Sequence, residues 1–155
     1  MIWTAGGLGL ALAVALPPSK PACQLLTNAE VQKVVGAAVT VDAGQSGPGE
    51  GGGDFCAWKT PDGHFVILGV YRKGSAAAAR TEYAAELVSA FGGGPVAKPV
   101  AGVGDEAQYR DYTGHLKGGV VVVRAGLVVF TLEGPVERAA ILGLSNLVLA
   151  RIGSQ

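Results

Sequence analysis

Two cysteines constrain this chain more than any other feature. Cys23 lies just ahead of a strong helix start, and Cys56 lies in Phe55-Cys56-Ala57-Trp58, a run with strand character. Two residues apart on a strand, Cys56 and Trp58 share a face. A Cys23–Cys56 bridge would clamp the first helix to that strand. Closing a loop of roughly 33 residues stabilises a fold by about 3–4 kcal/mol on the chain-entropy estimate. The alternative for the same pair is two free thiols, buried as small hydrophobes.

The first residues bear on that choice. Residues 2–16 hold no charge and are mostly Ala, Leu, Val and Gly. The run is short for a membrane span but fits the apolar region of a secretory signal, with small residues at Ala13 and Ala15 for cleavage. The positive residues usual before such a region are missing, since Met1-Ile2-Trp3-Thr4 carries none. The expected organisation is a signal peptide over 1–15, a Pro-rich linker over 16–22 and one domain over 23–153. An exported chain with an even cysteine count favours the bridge. Ser19-Lys20-Pro21-Ala22 is a poor lipobox, because Lys20 stands where an aliphatic residue belongs. With 12 basic and 12 acidic residues, no net charge draws the chain to nucleic acid or to an anionic membrane.

Local signals place the elements. Thr27 and Glu30 have capping-box spacing, Leu26 and Val31 can form a hydrophobic staple, and Gly36 can end the helix. Val39 to Val41 reads as a brief strand, and the glycine-rich segment 43–54 as a mobile loop. Residues 55–60 and 64–72 read as strands joined by Pro61-Asp62-Gly63, a turn in which glycine takes positive φ. Both faces of 64–72 are apolar, as in a central strand covered on both sides. Ser75 can cap a second helix whose stripe is Tyr83, Ala84, Leu87, Val88 and Phe91, with Glu82 and Glu86 off it. Gly92-Gly93-Gly94-Pro95 stops it.

Residues 108–112 alternate like a strand, and 116–124 and 127–133 form a second hairpin around Ala125-Gly126. Gly118-Gly119 marks a bulge or a close backbone approach. Pro135 suits the first position of a third helix over 136–152. The expected fold is a single α+β domain with a mainly antiparallel sheet of about six strands, in the order α-βββ-α-βββ-α. Its halves, from Thr27 and from Ser75, read as loose repeats.

Taken together, Cys23-Gln24-Leu25-Leu26-Thr27 with Ala29-Glu30-Val31, Cys56-Ala57-Trp58, and Val100-Ala101-Gly102-Val103-Gly104-Asp105-Glu106-Ala107 resemble a family of small exported and lipoprotein domains of unknown function, best represented in actinobacteria. The resemblance spans Cys23 to Ile152. It implies an envelope location and a paired cysteine, and brings no catalytic residues. The missing lipobox departs from its lipoprotein members.

Chemistry-bearing patterns are weak. Gly102-Val103-Gly104-Asp105-Glu106-Ala107 matches a dinucleotide fingerprint, yet a strand rather than a helix follows it. The glycine-rich loop lacks the Lys-Ser/Thr of a phosphate loop. Asp105 and Glu106, adjacent on a strand, would face opposite ways. His64 and His115 have no third ligand at fixed spacing, and no nucleophile elbow occurs. The expectation is therefore no catalytic, cofactor-binding or metal-binding residue. Two functions remain: a non-catalytic envelope interaction module, or a carrier of a small ligand or lipid in an apolar pocket between sheet and helices. The third helix is apolar around most of its circumference, with a narrow polar strip near Arg138 and Ser145. Leu142 and Leu149, seven apart, are candidates for an outward patch that meets a partner or a second copy.

Overall fold

The computed structural model describes residues 19–92 and 97–153. The signal peptide expected over 1–15, the first linker residues and most of the Gly92–Pro95 stop lie outside them. The elements run α1 (Asn28–Val35), β1 (Thr40–Val41), β2 (Gly47–Pro48), β3 (Gly53–Lys59), β4 (Phe65–Arg72), α2 (Ala76–Phe91), β5 (Lys98–Pro99), β6 (Glu106–Asp111), β7 (Gly119–Ala125), β8 (Val128–Gly134) and α3 (Arg138–Ile152). The fold is α+β, with an antiparallel sheet of eight strands ordered β1-β3-β4-β8-β7-β6-β5, and β2 pairing with β3. The six-strand expectation misses β2 and β5. Each is two residues long and includes a proline, so neither carries an alternation signal.

The cysteine pair is the disulfide Cys23–Cys56, with Cα atoms 4.9 Å apart. It sits in the larger core, on the inner face of the sheet, where Trp58, Leu68, Phe130, Leu132 and Val121 meet α1, α3 and the turn over residues 22–26. The Trp58 indole Nε1–H donates to Asn28 Oδ1 at 3.0 Å, tying strand to helix start. The capping box of Thr27 and Glu30 forms, and Gly36 closes α1 at φ +76°. Gly118 and Gly119 are a close approach. A Cβ at Gly119 would lie 2.3 Å from the Tyr109 hydroxyl, and one at Gly118 would lie 2.1 Å from the Gly134 carbonyl.

Helix α2 packs on the opposite, outer face, so the sheet is the middle of three layers. This limits the repeat. The meanders β1-β3-β4 and β6-β7-β8 join through β4 and β8, but α1 and α2 lie on opposite faces. The buried side of α2 also differs from the expected stripe. Ala79 and Tyr83 are buried, whereas Val88 is 72% exposed. The helix is rotated so that Glu82 pairs with Lys73 at 2.5 Å and Glu86 faces the Tyr71 phenol. On α3 the expected polar strip is likewise corrected. Ser145 is buried, its hydroxyl satisfied by donating to the Ile141 carbonyl. The helix starts at Arg138, so Pro135 precedes it.

The glycine-rich segment is folded against β3. Asp42 accepts from the Gly44 and Gln45 amides, and Ser46 Oγ accepts from the Ala57 amide at 3.0 Å. The Asp42 amide donates to the Ala57 carbonyl at 2.8 Å. A Cβ at Gly49 would strike the Phe55 ring. Glycine here serves close packing at Gly49 and Gly53 and left-handed backbone at Gly47, Gly51 and Gly52. Cutting 44–52 to a minimal turn is therefore expected to cost about 1–3 kcal/mol, because the Ala57 amide is orphaned. Denaturant unfolding of the shortened chain checks it, and an unchanged midpoint would count against it.

Arg151 of α3 joins the ends of the domain. Its guanidinium donates to both Glu30 oxygens, at 2.5 and 2.9 Å, and to the Leu25 carbonyl at 2.6 Å. These bonds hold the Glu30 carboxyl down to about 2. A depressed folded value adds stability above the unfolded carboxylate range, and that stability is lost as pH falls toward 2. With both side chains partly exposed, Glu30→Gln should cost about 1–2 kcal/mol at pH 7 after solvent screening. The gap in melting temperature should close near pH 2.

Candidate functional site

The site is built by strand register on the outer face. Residues directly opposite across neighbouring strands share a face. One row runs Phe55–Gly69–Thr131–Val122, and the next runs Ala57–Ile67–Glu133–Val120–Arg110. Helix α2 crosses the sheet from the end of β4 toward β6 and covers Tyr71, Val129 and Val122. Its C-terminus is held by Arg110, which donates to the Ala90 and Phe91 carbonyls, both at 2.9 Å. A cation there also complements the helix dipole.

The corner beyond that end is an open groove. One recess of about 320 Å³ lies between Phe55, Ile67, Thr131 and the α2 residues Glu86, Ser89 and Ala90. A second, of about 290 Å³, lies between Phe65, Tyr112, Leu116 and Lys117. Ile67 and Glu133 line both. Leu116 stands on the rim, 61% exposed.

Glu133 is the chemical centre of this groove. Its cross-strand neighbours are Ile67 and Val120, and it makes no hydrogen bond or ion pair among the described residues. Burial pushes its carboxyl above the ordinary range. Burial and the Glu133 charge push the Tyr112 phenol upward. Arg110, in the same row, is committed to the end of α2. A raised folded value gives stability that is complete below the unfolded carboxylate range and lost as pH rises. Glu133→Gln is therefore expected to raise the melting temperature at pH 7, an advantage that fades in acid. A lower melting temperature at pH 7 would mean that the carboxylate supports the fold.

The residues singled out by sequence are dispersed. Cys23 and Cys56 form the disulfide on the inner face, and a sulfur bonded in this way carries no thioether-linked lipid. Leu142 and Leu149 are half-buried and pack against the inner core, while Leu147 is the more exposed, at 37%. His115 is exposed, and His64 lies 3.9 Å from Asp62 at the hairpin turn. Asp105 and Glu106 do not diverge as expected. Asp105 precedes β6, and both reach Arg124, at 3.1 and 2.6 Å, with Asp105 also accepting from the Gly126 amide. They fasten the β7–β8 turn to the start of β6. Gly104 lies so close to the Arg124 carbonyl that a Cβ would come within 2.6 Å.

Among the described residues, no group of three His, Cys, Asp or Glu side chains is placed to hold a metal ion. No helix among them is long and apolar enough to cross a membrane. Sequence reading passed over Glu133. The signal was present in Val129-x-Thr131-x-Glu133, a face that grows polar toward the strand end. No protein-family model matches the chain, and neither does any curated protein.

Proposed function

We propose that this chain is an exported cell-envelope protein acting without catalysis, as an interaction module that docks its partner in the groove around Glu133. The observation that carries this reading is the half-buried pair Ile67–Glu133, which α2 leaves partly open beside an exposed Leu116, with the buried Val120 as the floor. Open apolar surface of this kind, centred on one polar group, is characteristic of binding sites. The disulfide supports an oxidising compartment, as does the motif resemblance to exported domains.

The carrier reading needs room between sheet and helices. On the inner face that space is filled by Trp58, Phe130, Leu68 and Leu132, all fully buried, which favours the module. The half-buried packing of Leu142 and Leu149 favours the outer groove over α3 as the docking surface.

Ile67→Lys tests the reading by laying an aliphatic stem and an ammonium across the groove. The tagged parent, purified from its own host, should bring down a protein partner that the variant loses at unchanged melting temperature. A lipid or metabolite retained in native mass spectra, with no protein partner, would decide for the carrier.

A further inference from the structure

We infer that the groove recognises a basic side chain, lysine or arginine, presented with apolar neighbours on an extended segment of a partner protein, and that Glu133 is the residue that selects it. The inference rests on the docking surface proposed above and adds its chemistry. Three features of the groove converge on it.

The first is charge. Glu133 carries a carboxylate between two aliphatic cross-strand neighbours, Ile67 and Val120, with no cation bonded to it among the described residues. The nearest basic residue in its row, Arg110, spends both terminal nitrogens on the carbonyls closing α2. A half-buried carboxylate without a partner is less well solvated than a free one, and a cation arriving from outside offsets that cost. Glu86 lines one recess, and the exposed Lys117 and His64 line the other without a bond to Glu133.

The second is the flanking surface. The stem of a lysine or arginine is apolar and packs along hydrocarbon while its head seeks charge. Ile67, Phe65 and the exposed Leu116 offer that hydrocarbon beside the carboxylate, over the buried Val120. An incoming acid would meet repulsion, and a neutral apolar residue would leave the carboxylate desolvated and unpaired.

The third is shape. The two recesses extend in opposite directions from Glu133, one toward Phe55 and α2, the other toward Phe65 and Leu116. A short amine fills the centre alone. A chain passing over the groove places its flanking residues in both recesses, which is why a protein segment is the occupant argued here.

The test uses the disulfide-intact protein and four probes: the blocked peptide acetyl-Ser-Leu-Lys-Leu-Ser-amide, its acetyl-lysine and glutamate counterparts, and n-butylammonium chloride. Amide chemical-shift mapping reports where each binds, and titration reports how tightly. The lysine peptide should shift Ile67, Val120, Thr131 and Glu133, and should bind at least tenfold more tightly than the other three. Glu133→Gln, checked for an intact spectrum, should lose that tenfold. Equal binding of the acetyl-lysine peptide, which needs no variant, or full retention by Glu133→Gln overturns the selection of a cation while leaving the groove as a docking surface. Butylammonium binding as tightly as the peptide overturns the protein segment as source. Absence of groove shifts with every probe overturns the inference, while the partner captured in the Ile67→Lys experiment independently upholds or removes the underlying reading.

Discussion

Cys56→Ser is expected to destabilise the protein by about 2–5 kcal/mol, visible as a lower denaturant midpoint with a steeper slope, because the freed unfolded chain exposes more surface. The disulfide closes the chain between residues separated by 33 in sequence. It fastens the segment that delivers Ala22, Leu25 and Leu26 to the core, all at most 1% exposed. Without it, the unfolded chain regains the freedom of that loop, and a serine hydroxyl is left where a sulfur was fully buried. The segment keeps other holds: the Ala22 amide donates to Asp54, and Arg72 donates to the Lys20 carbonyl. The expected outcome is therefore a folded but weakened protein. Alkylation of the parent protein under denaturing, non-reducing conditions checks the premise, and uptake of two labels would refute it.

Trp58→Ala should cost about 3–5 kcal/mol, the range for removing a large buried aromatic. Trp58 is wholly buried beneath α1, and its indole supplies the hydrogen bond to Asn28. Trp58→Phe separates the two contributions. It keeps most of the ring volume but leaves Asn28 Oδ1 without its donor, at about 1–2 kcal/mol. Cys56 and Trp58 stand on one face of one strand and both anchor what precedes and begins α1. The double variant should accordingly lose less than the sum of the single losses, as expected for neighbours that share partners. Additive losses would show that the two anchors act independently. The chain's other tryptophan, Trp3, lies in the segment read as a signal peptide, so fluorescence of a protein comprising residues 19–155 reports on Trp58 alone.

Much of this architecture was legible before any coordinates, and for local reasons. The Thr27 hydroxyl with Glu30, Ser75 before α2, and glycines at 63 and 126 act within a few residues of themselves. The apolar runs at 64–72 and 120–123 announced central strands covered on both faces; β4 and β7 each lie between two long neighbours, but the outer face of β4 is open around Phe65 and Ile67. The glycine segment misled because glycine signals flexibility and tight packing with the same letter. Its order comes from Asp42, Ser46 and the backbone of β3, partners that composition does not reveal.

By itself, then, the sequence determined the class of fold, its helices and long strands, both hairpins and the preferred cysteine pairing, because caps, turns and alternation are short-range physics. Tertiary structure decided which hairpin strands meet, which face α2 takes and where its C-terminus is held. Both faces of β4 and β7 are apolar, so patterning left the choice of face undetermined. The pairing of β4 with β8 brings Ile67 opposite Glu133, and the guanidinium of Arg110, in the same row, is bonded to the end of α2 instead of to that carboxylate. Glu133 becomes a candidate recognition residue through those long-range contacts, since a charge at the end of an apolar strand acquires its meaning from what stands across from it.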